Sequence, residues 1–269
     1  MDITDGQALR ARFAETYSRE DYPHPLRQFE QYELVMAHRE LNPTIGSRGM
    51  TAHIDLPASR IKSWLGGSKP TGYEATQQVA ELDWFDLTWD GDQFRGLVEL
   101  VAWIFSRGSI GNSYSPSWTL SEASREVCTA ALERAGVPDY AVIETDGERR
   151  EELRAEPQGN RAILGRLLVV LGAPQGRKTA QQFGLPCWLG RASDPVRRRF
   201  AAIYLLNRGV CREDRSHLVV REERPDAYLE ALAGLFRSLT DATVTVGADY
   251  RITIGDAVLS DVDVPKKFE

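Results

Sequence analysis

The chain has 269 residues, 42% of them apolar, and a net charge of −6. That is enough for one large domain plus a small one, or two medium domains, and it excludes wholesale disorder. The sum excludes a uniformly basic nucleic-acid binder, but the distribution is uneven. Residues 158–221 carry twelve basic and three acidic side chains, a net +9 that leaves −15 for the remainder. Such polarisation predicts one cationic face on an otherwise acidic surface.

No apolar run approaches the roughly 18–20 residues of a membrane helix. The opening MDITDGQALRARF has no basic segment leading into an apolar one, so a cytoplasmic protein without a membrane partner is expected. Cys128, Cys187 and Cys211 are far apart and form no CxxC pair, which predicts reduced, mostly buried thiols. His24, His38, His53 and His217 form no HxxxH or HxH pair, so no metal site is expected, and His38 and His53 are not expected to meet. Phosphate-loop, dinucleotide and serine-hydrolase motifs are absent, and GAPQGRKT has the wrong spacing for the first of these.

In chain order, residues 1–24 read as a lead-in helix or loose segment. Leu26, Phe29, Leu34, Val35 and Leu41 recur at roughly helical spacing, and Asn42-Pro43 stops that helix. Three short helices follow: Ser47 to about Ile54, Pro57 to Leu65 with Gly66-Gly67 behind it, and Pro70 to about Trp84. Residues 25–88 are thus expected to form a small all-α helix-turn-helix domain. Ser59, Arg60, Lys62 and Ser63 of the second short helix would face a DNA major groove while Ile61, Trp64 and Leu65 lock it to the core. The Asp- and Gly-rich DWFDLTWDGDQ then reads as a linker.

From Phe94 onward the order becomes helix, strands, helix, strands, helix, and it recurs after Pro195. LVAWIFSRGSI (Leu100–Ile110) and FAAIYLLNRGV (Phe200–Val210) are apolar segments about 100 residues apart, each ending in Arg-Gly. These segments resemble the signature helix of the LAGLIDADG homing endonucleases. Leu100, Ile104, Gly108, Ser109 and Ile110 match that pattern in the first, while Ala201, Ala202, Leu205 and Gly209 fill equivalent slots in the second. ILGRLLVVLGAPQGRKT, LPCWLGRA and DPVRRRF resemble that family's approach to its second helix. The resemblance covers about Phe94 to Thr253.

It implies an α+β, pseudo-symmetric double-repeat saddle over residues 94–256, with two αββαββα-type halves, monomeric, and a tail over 257–269. Its partner would be double-stranded DNA. The family's hydrolysis uses a carboxylate before each terminal glycine to hold divalent metal. Here those slots hold Arg107 and Arg208, and the earlier acidic slots hold Phe105 and Leu206. A guanidinium donates only and cannot ligate Mg²⁺. The resemblance therefore implies a non-cutting, sequence-specific DNA-binding protein without cofactor, similar in kind to bacterial sporulation regulators that pair such a domain with a helix-turn-helix. The competing enzymatic reading is a homing-type endonuclease using Mg²⁺ and carboxylates elsewhere, such as Glu99. A third is a module whose basic face meets an acidic protein.

The expected DNA contacts are Ser59, Arg60, Lys62 and Ser63, then Arg107, Arg208, Arg177, Lys178, Arg197, Arg198, Arg212, Arg215 and Arg251. Strands are expected near 112–120, 140–156, 210–221 and 243–253. They add Ser113, Ser115, Ser117, Arg149, Arg150 and Arg154, of which alternation should turn only about half toward the groove.

Overall fold

The computed structural model describes residues 2–146, 151–211 and 216–265. The chain is α+β, with eleven α-helices and two four-stranded antiparallel sheets among the described residues. It divides into a helical unit, Asp5–Asp86, and a larger unit from Leu87 onward that includes the extreme N-terminal residues. No helix among the described residues is long and apolar enough to cross a membrane.

The helical unit holds α1 (Gly6–Glu15), α2 (Pro25–Leu41), α3 (Ser47–Met50), α4 (Ala58–Leu65) and α5 (Tyr73–Glu81). Of the two readings of the N-terminal segment, the structure shows the helix. The Asp5 side chain caps α1 by accepting from Ala8 N at 3.0 Å. Leu9 and Phe13, one turn apart, are fully buried, Phe13 lies edge-on to Phe85, and Arg10 pairs with Glu33 at 2.9 Å. The apolar side of α2 also differs from the expected one. Phe29, Tyr32 and Val35 are buried, whereas Leu34 and Leu41 are exposed, because burial follows a stripe at i, i+3 and i+6 that includes the aromatic Tyr32. Tyr32 meets Trp64 and Tyr73 in edge-on ring contacts.

The helix expected from Ser47 to Ile54 is a single turn. Thr51 Oγ1 donates to Arg48 O at 2.8 Å, a local bond that competes with helix continuation. α4 stops at Gly66-Gly67, as the sequence predicts. Gly67 takes φ +99°, and Ser68 N returns to Ser63 O. The His38 and His53 rings do meet, at 5.1 Å between centroids, because α2 and the turn after α3 close on one core.

The larger unit repeats one order of elements. α6 (Asp92–Ser106), β1 (Gly108–Ile110), β2 (Pro116–Leu120), α7 (Glu122–Arg134), β3 (Tyr140–Asp146), β4 (Glu151–Pro157) and α8 (Arg161–Val170) come first. α9 (Asp194–Arg208), β5 (Val210–Cys211), β6 (His217–Arg221), α10 (Asp226–Arg237), β7 (Val244–Gly247), β8 (Arg251–Gly255) and α11 (Val258–Asp261) follow. Both sheets share one strand order, β1-β2-β4-β3 and β5-β6-β8-β7. The segment read as linker buries Trp84, Phe85 and Leu87. The segment read as a tail holds α11, with Val258 and Val262 buried. Cys128 is buried, but Cys187 and Cys211 are exposed, against the expectation of mostly buried thiols; both sit at loop or edge positions where no apolar layer covers them.

α6 and α9 pack against each other; α6 is buried from Gly96 to Ser106 and α9 from Phe200 to Asn207. That explains why their C-terminal portions, Leu97–Phe105 and Phe200–Leu206, are apolar or small on nearly every side rather than striped. Each ends at a glycine that must lack a side chain. A Cβ on Gly108 would sit 2.9 Å from Ser117 O, and one on Gly209 2.7 Å from Leu205 O. The close exit from helix into strand therefore fixes Gly in both segments.

Candidate nucleic-acid interface

Alternation along the strands buries one face of each sheet and opens the other. In β6, Leu218 and Val220 point inward, which turns His217, Val219 and Arg221 outward. In β8, Ile252 and Ile254 point inward, leaving Arg251 and Thr253 outward. Antiparallel register sets Arg221 directly opposite Arg251 and Val219 opposite Thr253. Like charges facing across a ladder repel, and neither arginine has an acidic ion-pair partner among the described residues. The Arg251 guanidinium lies beside Gly247, where a Cβ would meet its nitrogens at an ordinary contact distance of 3.8 Å.

These residues line a groove of about 650 Å³ together with Asn207, Arg208 and Val210. Its described lining carries three arginines and one histidine and no carboxylate. In chemical terms it is a site for an anion or a row of anions.

The two helix ends meet at one end of this groove. Asn207 Nδ2 donates to Ser106 Oγ at 3.0 Å, and Arg208 Nε donates to Ser106 O at 2.7 Å. Glu222, nearly fully buried, lies 3.0 Å from Arg208 Nε and 3.8 Å from Arg224 Nε. Arg224, also buried, donates to Lys178 O and covers the Phe183 ring. Tyr204 and Tyr228 share a hydroxyl contact at 3.2 Å, and burial raises both phenols well above their ordinary range.

Lys178 is not on the sheet face. Its Nζ donates to Ile104 O at 2.7 Å and Phe105 O at 3.3 Å, so it caps the C-terminal end of α6. Burial first, then the guanidinium groups of Arg208 and Arg224, pull its ammonium down to about 8, with Glu222 acting in the opposite sense. A cation drawn from a basic run, here Arg177-Lys178, is thereby used inside the protein. Arg177 itself is exposed, in the loop that precedes it.

Arg197 and Arg198 lie near the N-terminal end of α9, some 15 Å of helix from Arg208. Arg197 pairs with Asp194 at 3.0 Å and also donates to Ser238. Both are half-buried and away from the groove, because ten residues of helix separate them from the strands. Arg107 caps α6 and lies 3.7 Å from Glu152.

Ser117 and Arg154 point to the open face of the first sheet, while Ser113 and Ser115 sit in the β1–β2 loop. Arg149, Arg150, Arg212 and Arg215 lie outside the described residues. In the helical unit Ser59, Arg60, Lys62 and Ser63 are all exposed, within an arc of about 160° opposite buried Ile61 and Trp64.

Glu99, the carboxylate considered for metal, is fully buried. Both its oxygens accept from Arg134 Nη1 at 2.7 Å, and Oε1 also accepts from Arg199 Nε. It ties α6, α7 and α9 together, its charge matched by two guanidinium groups. No group of three or more His, Cys, Asp or Glu side chains is placed to hold a metal ion among the described residues.

His217 and Arg221 were missed as site residues. The signal was present, since the period-two pattern of HLVVR sends both to the face opposite Leu218 and Val220. Nothing local in the sequence marks Glu222 and Arg224 as a buried pair.

No family model matches the chain, and no curated protein matches it. Among solved structures, the crystal structure of the N-terminal LAGLIDADG domain of DUF199/WhiA is similar at a TM-score of 0.39 and 14% identity. That match covers 68% of this chain and 89% of that one.

Proposed function

We propose that this chain is a sequence-specific double-stranded DNA-binding protein, a transcriptional regulator built on a LAGLIDADG-like double repeat that does not cut. The observation that carries the reading is the facing pair Arg221 and Arg251 on an open sheet groove, with Arg208 at its end. Arg221 and Arg251 face each other without an ion-pair partner among the described residues, and a polyanion lying across them relieves their repulsion, while Arg208 at the groove's end is paired with Glu222. The repeated element order and the shared strand order support the double repeat, with the two helix ends at a pseudo-two-fold axis. The exposed Ser59, Arg60, Lys62 and Ser63 on α4 support a recognition helix in a helix-turn-helix. Arg107 and Arg208 at the helix ends, and the buried ion triad of Glu99, support a protein without Mg²⁺-dependent hydrolysis.

The test is binding of a labelled random-sequence duplex across about 50 to 200 mM salt, with a supercoiled-plasmid nicking assay in Mg²⁺ or Mn²⁺ beside it. Salt-dependent binding with intact plasmid is expected. Absence of duplex binding at low salt overturns DNA binding; metal-dependent nicking overturns the non-cutting reading.

A further inference from the structure

The two sheets share a topology but not a charge. On the first sheet the outward residues are Ser109, Ser117, Thr119, Ile143, Glu152, Arg154 and Glu156, with Thr119 and Ile143 flanking Arg154 in the register. Among the described residues its outward arginine is Arg154, 3.7 Å from Glu156, which also takes Arg161 at 3.3 Å, and Glu152 lies 3.7 Å from Arg107 at the helix end. Every described cation there has a carboxylate beside it. On the second sheet Arg221 and Arg251 face each other with no ion-pair carboxylate among the described residues, whereas Arg208 at the helix end is paired with Glu222 as Arg107 is with Glu152.

We infer that the duplex is gripped by one half only: the second sheet holds the phosphate backbone, and the first contributes no net attraction to it. The inference rests on the DNA-binding reading and narrows it. Phosphate contacts fix position on the duplex and set the salt dependence of binding, about 0.9 in slope per phosphate neutralised. A grip on one side of the helix ends gives protection offset to one flank of the site and a target without half-site symmetry. The hydroxyl-rich first sheet, with Ser109 Oγ 3.2 Å from Ser117 Oγ, then lies beside the DNA as a neutral surface.

The test compares the full chain with Arg221→Ala/Arg251→Ala and with Arg154→Ala, reading the salt slope on one duplex and the hydroxyl-radical footprint on a selected site. Loss of both second-sheet arginines is expected to lower the slope by about two and to erase protection on one flank. Arg154→Ala is expected to leave both readouts in place. All these side chains are at least partly exposed, and circular dichroism establishes that each variant is folded. A fall in slope for Arg154→Ala equal to that per arginine on the second sheet, or a footprint symmetric about its centre, overturns the one-sided grip while leaving DNA binding intact. Failure of the unaltered chain to bind any duplex overturns both.

Discussion

Asn207 and Ser106 hold the same place in the two repeated segments, each two residues before its helix-ending glycine, and they are hydrogen-bonded to each other at 3.0 Å. The two-fold relation proposed for the halves would place such a contact at its axis. Ser106 is fully buried and Asn207 nearly so, and Ser106 Oγ also donates to Ala102 O at 2.9 Å. Breaking such a bond strands a buried partner. Ser106→Ala and Asn207→Ala are each expected to lose about 1–2 kcal/mol in urea unfolding, with a double-mutant coupling of about 1 kcal/mol. A coupling near zero means the two helix ends do not hold each other.

Glu99 is the second join. It receives Arg134 and Arg199 from two other helices while itself fully buried, and the arginine side chains remain about one-third exposed. Removing its charge leaves two cations that water can partly resolvate. Glu99→Gln is therefore expected to cost about 2–3 kcal/mol, toward or below the low end of the range for broken buried pairs. Because Glu99 lies away from the groove, the salt slope of DNA binding should stay at the value of the unaltered chain.

Lys178 gives a pH signature. Unfolded, its ammonium keeps its proton to about 10.4; folded, burial and the neighbouring arginines bring it to about 8. Between those values the unfolded chain binds more protons, so this residue makes stability rise with pH. Below about 8 both states are charged and its unfavourable contribution is constant. Lys178→Met removes the titration and keeps most of the stem. The stability of the unaltered chain minus that of the variant should climb from pH 8 to 10 and stay level from pH 6 to 7.5. A difference that is flat or falls as pH rises assigns the lysine an ordinary exposed environment.

The β7–β8 hairpin turns through Asp249 at φ +60° and Tyr250 at φ +56°. Consecutive left-handed residues make a turn that prefers Asn-Gly, and a tyrosine there carries a cost of about 1–2 kcal/mol. Tyr250 is half exposed, and its carbonyl accepts from Glu222 N at 3.0 Å, a bond glycine also makes. Tyr250→Gly is expected to raise stability by about 1 kcal/mol. A loss of stability would show that the ring's contacts outweigh the backbone strain.

The parts of this protein legible in its sequence are those set by local physics. The apolar segments 100–106 and 200–208, their closing glycines and the repeated order of helices and strands follow from periodicity and from the absence of Cβ at Gly108 and Gly209. The glycine stop after α4 and the buried Ile61 and Trp64 follow in the same way. What escaped depends on partners distant in sequence. Lys178 reads as a surface cation until the carbonyls of Ile104 and Phe105 stand next to it. Arg197 and Arg198 read as part of the same basic face as Arg208 until helix length separates them. His38 and His53 meet because α2 and the α3 turn share a core, which no spacing rule encodes. Arg221 was within reach, since strand alternation alone places it beside Arg251 once the register is known.

The most direct test of the central claim is photocrosslinking from within the groove. A photoreactive amino acid in place of Thr253, which lines the groove opposite Val219, is irradiated in the presence of labelled duplex. A parallel sample carries it in place of Glu230 on α10. Covalent capture of DNA from position 253 and not from position 230 is the predicted result. Equal capture from both positions, or none from position 253 while the duplex is bound, contradicts the account.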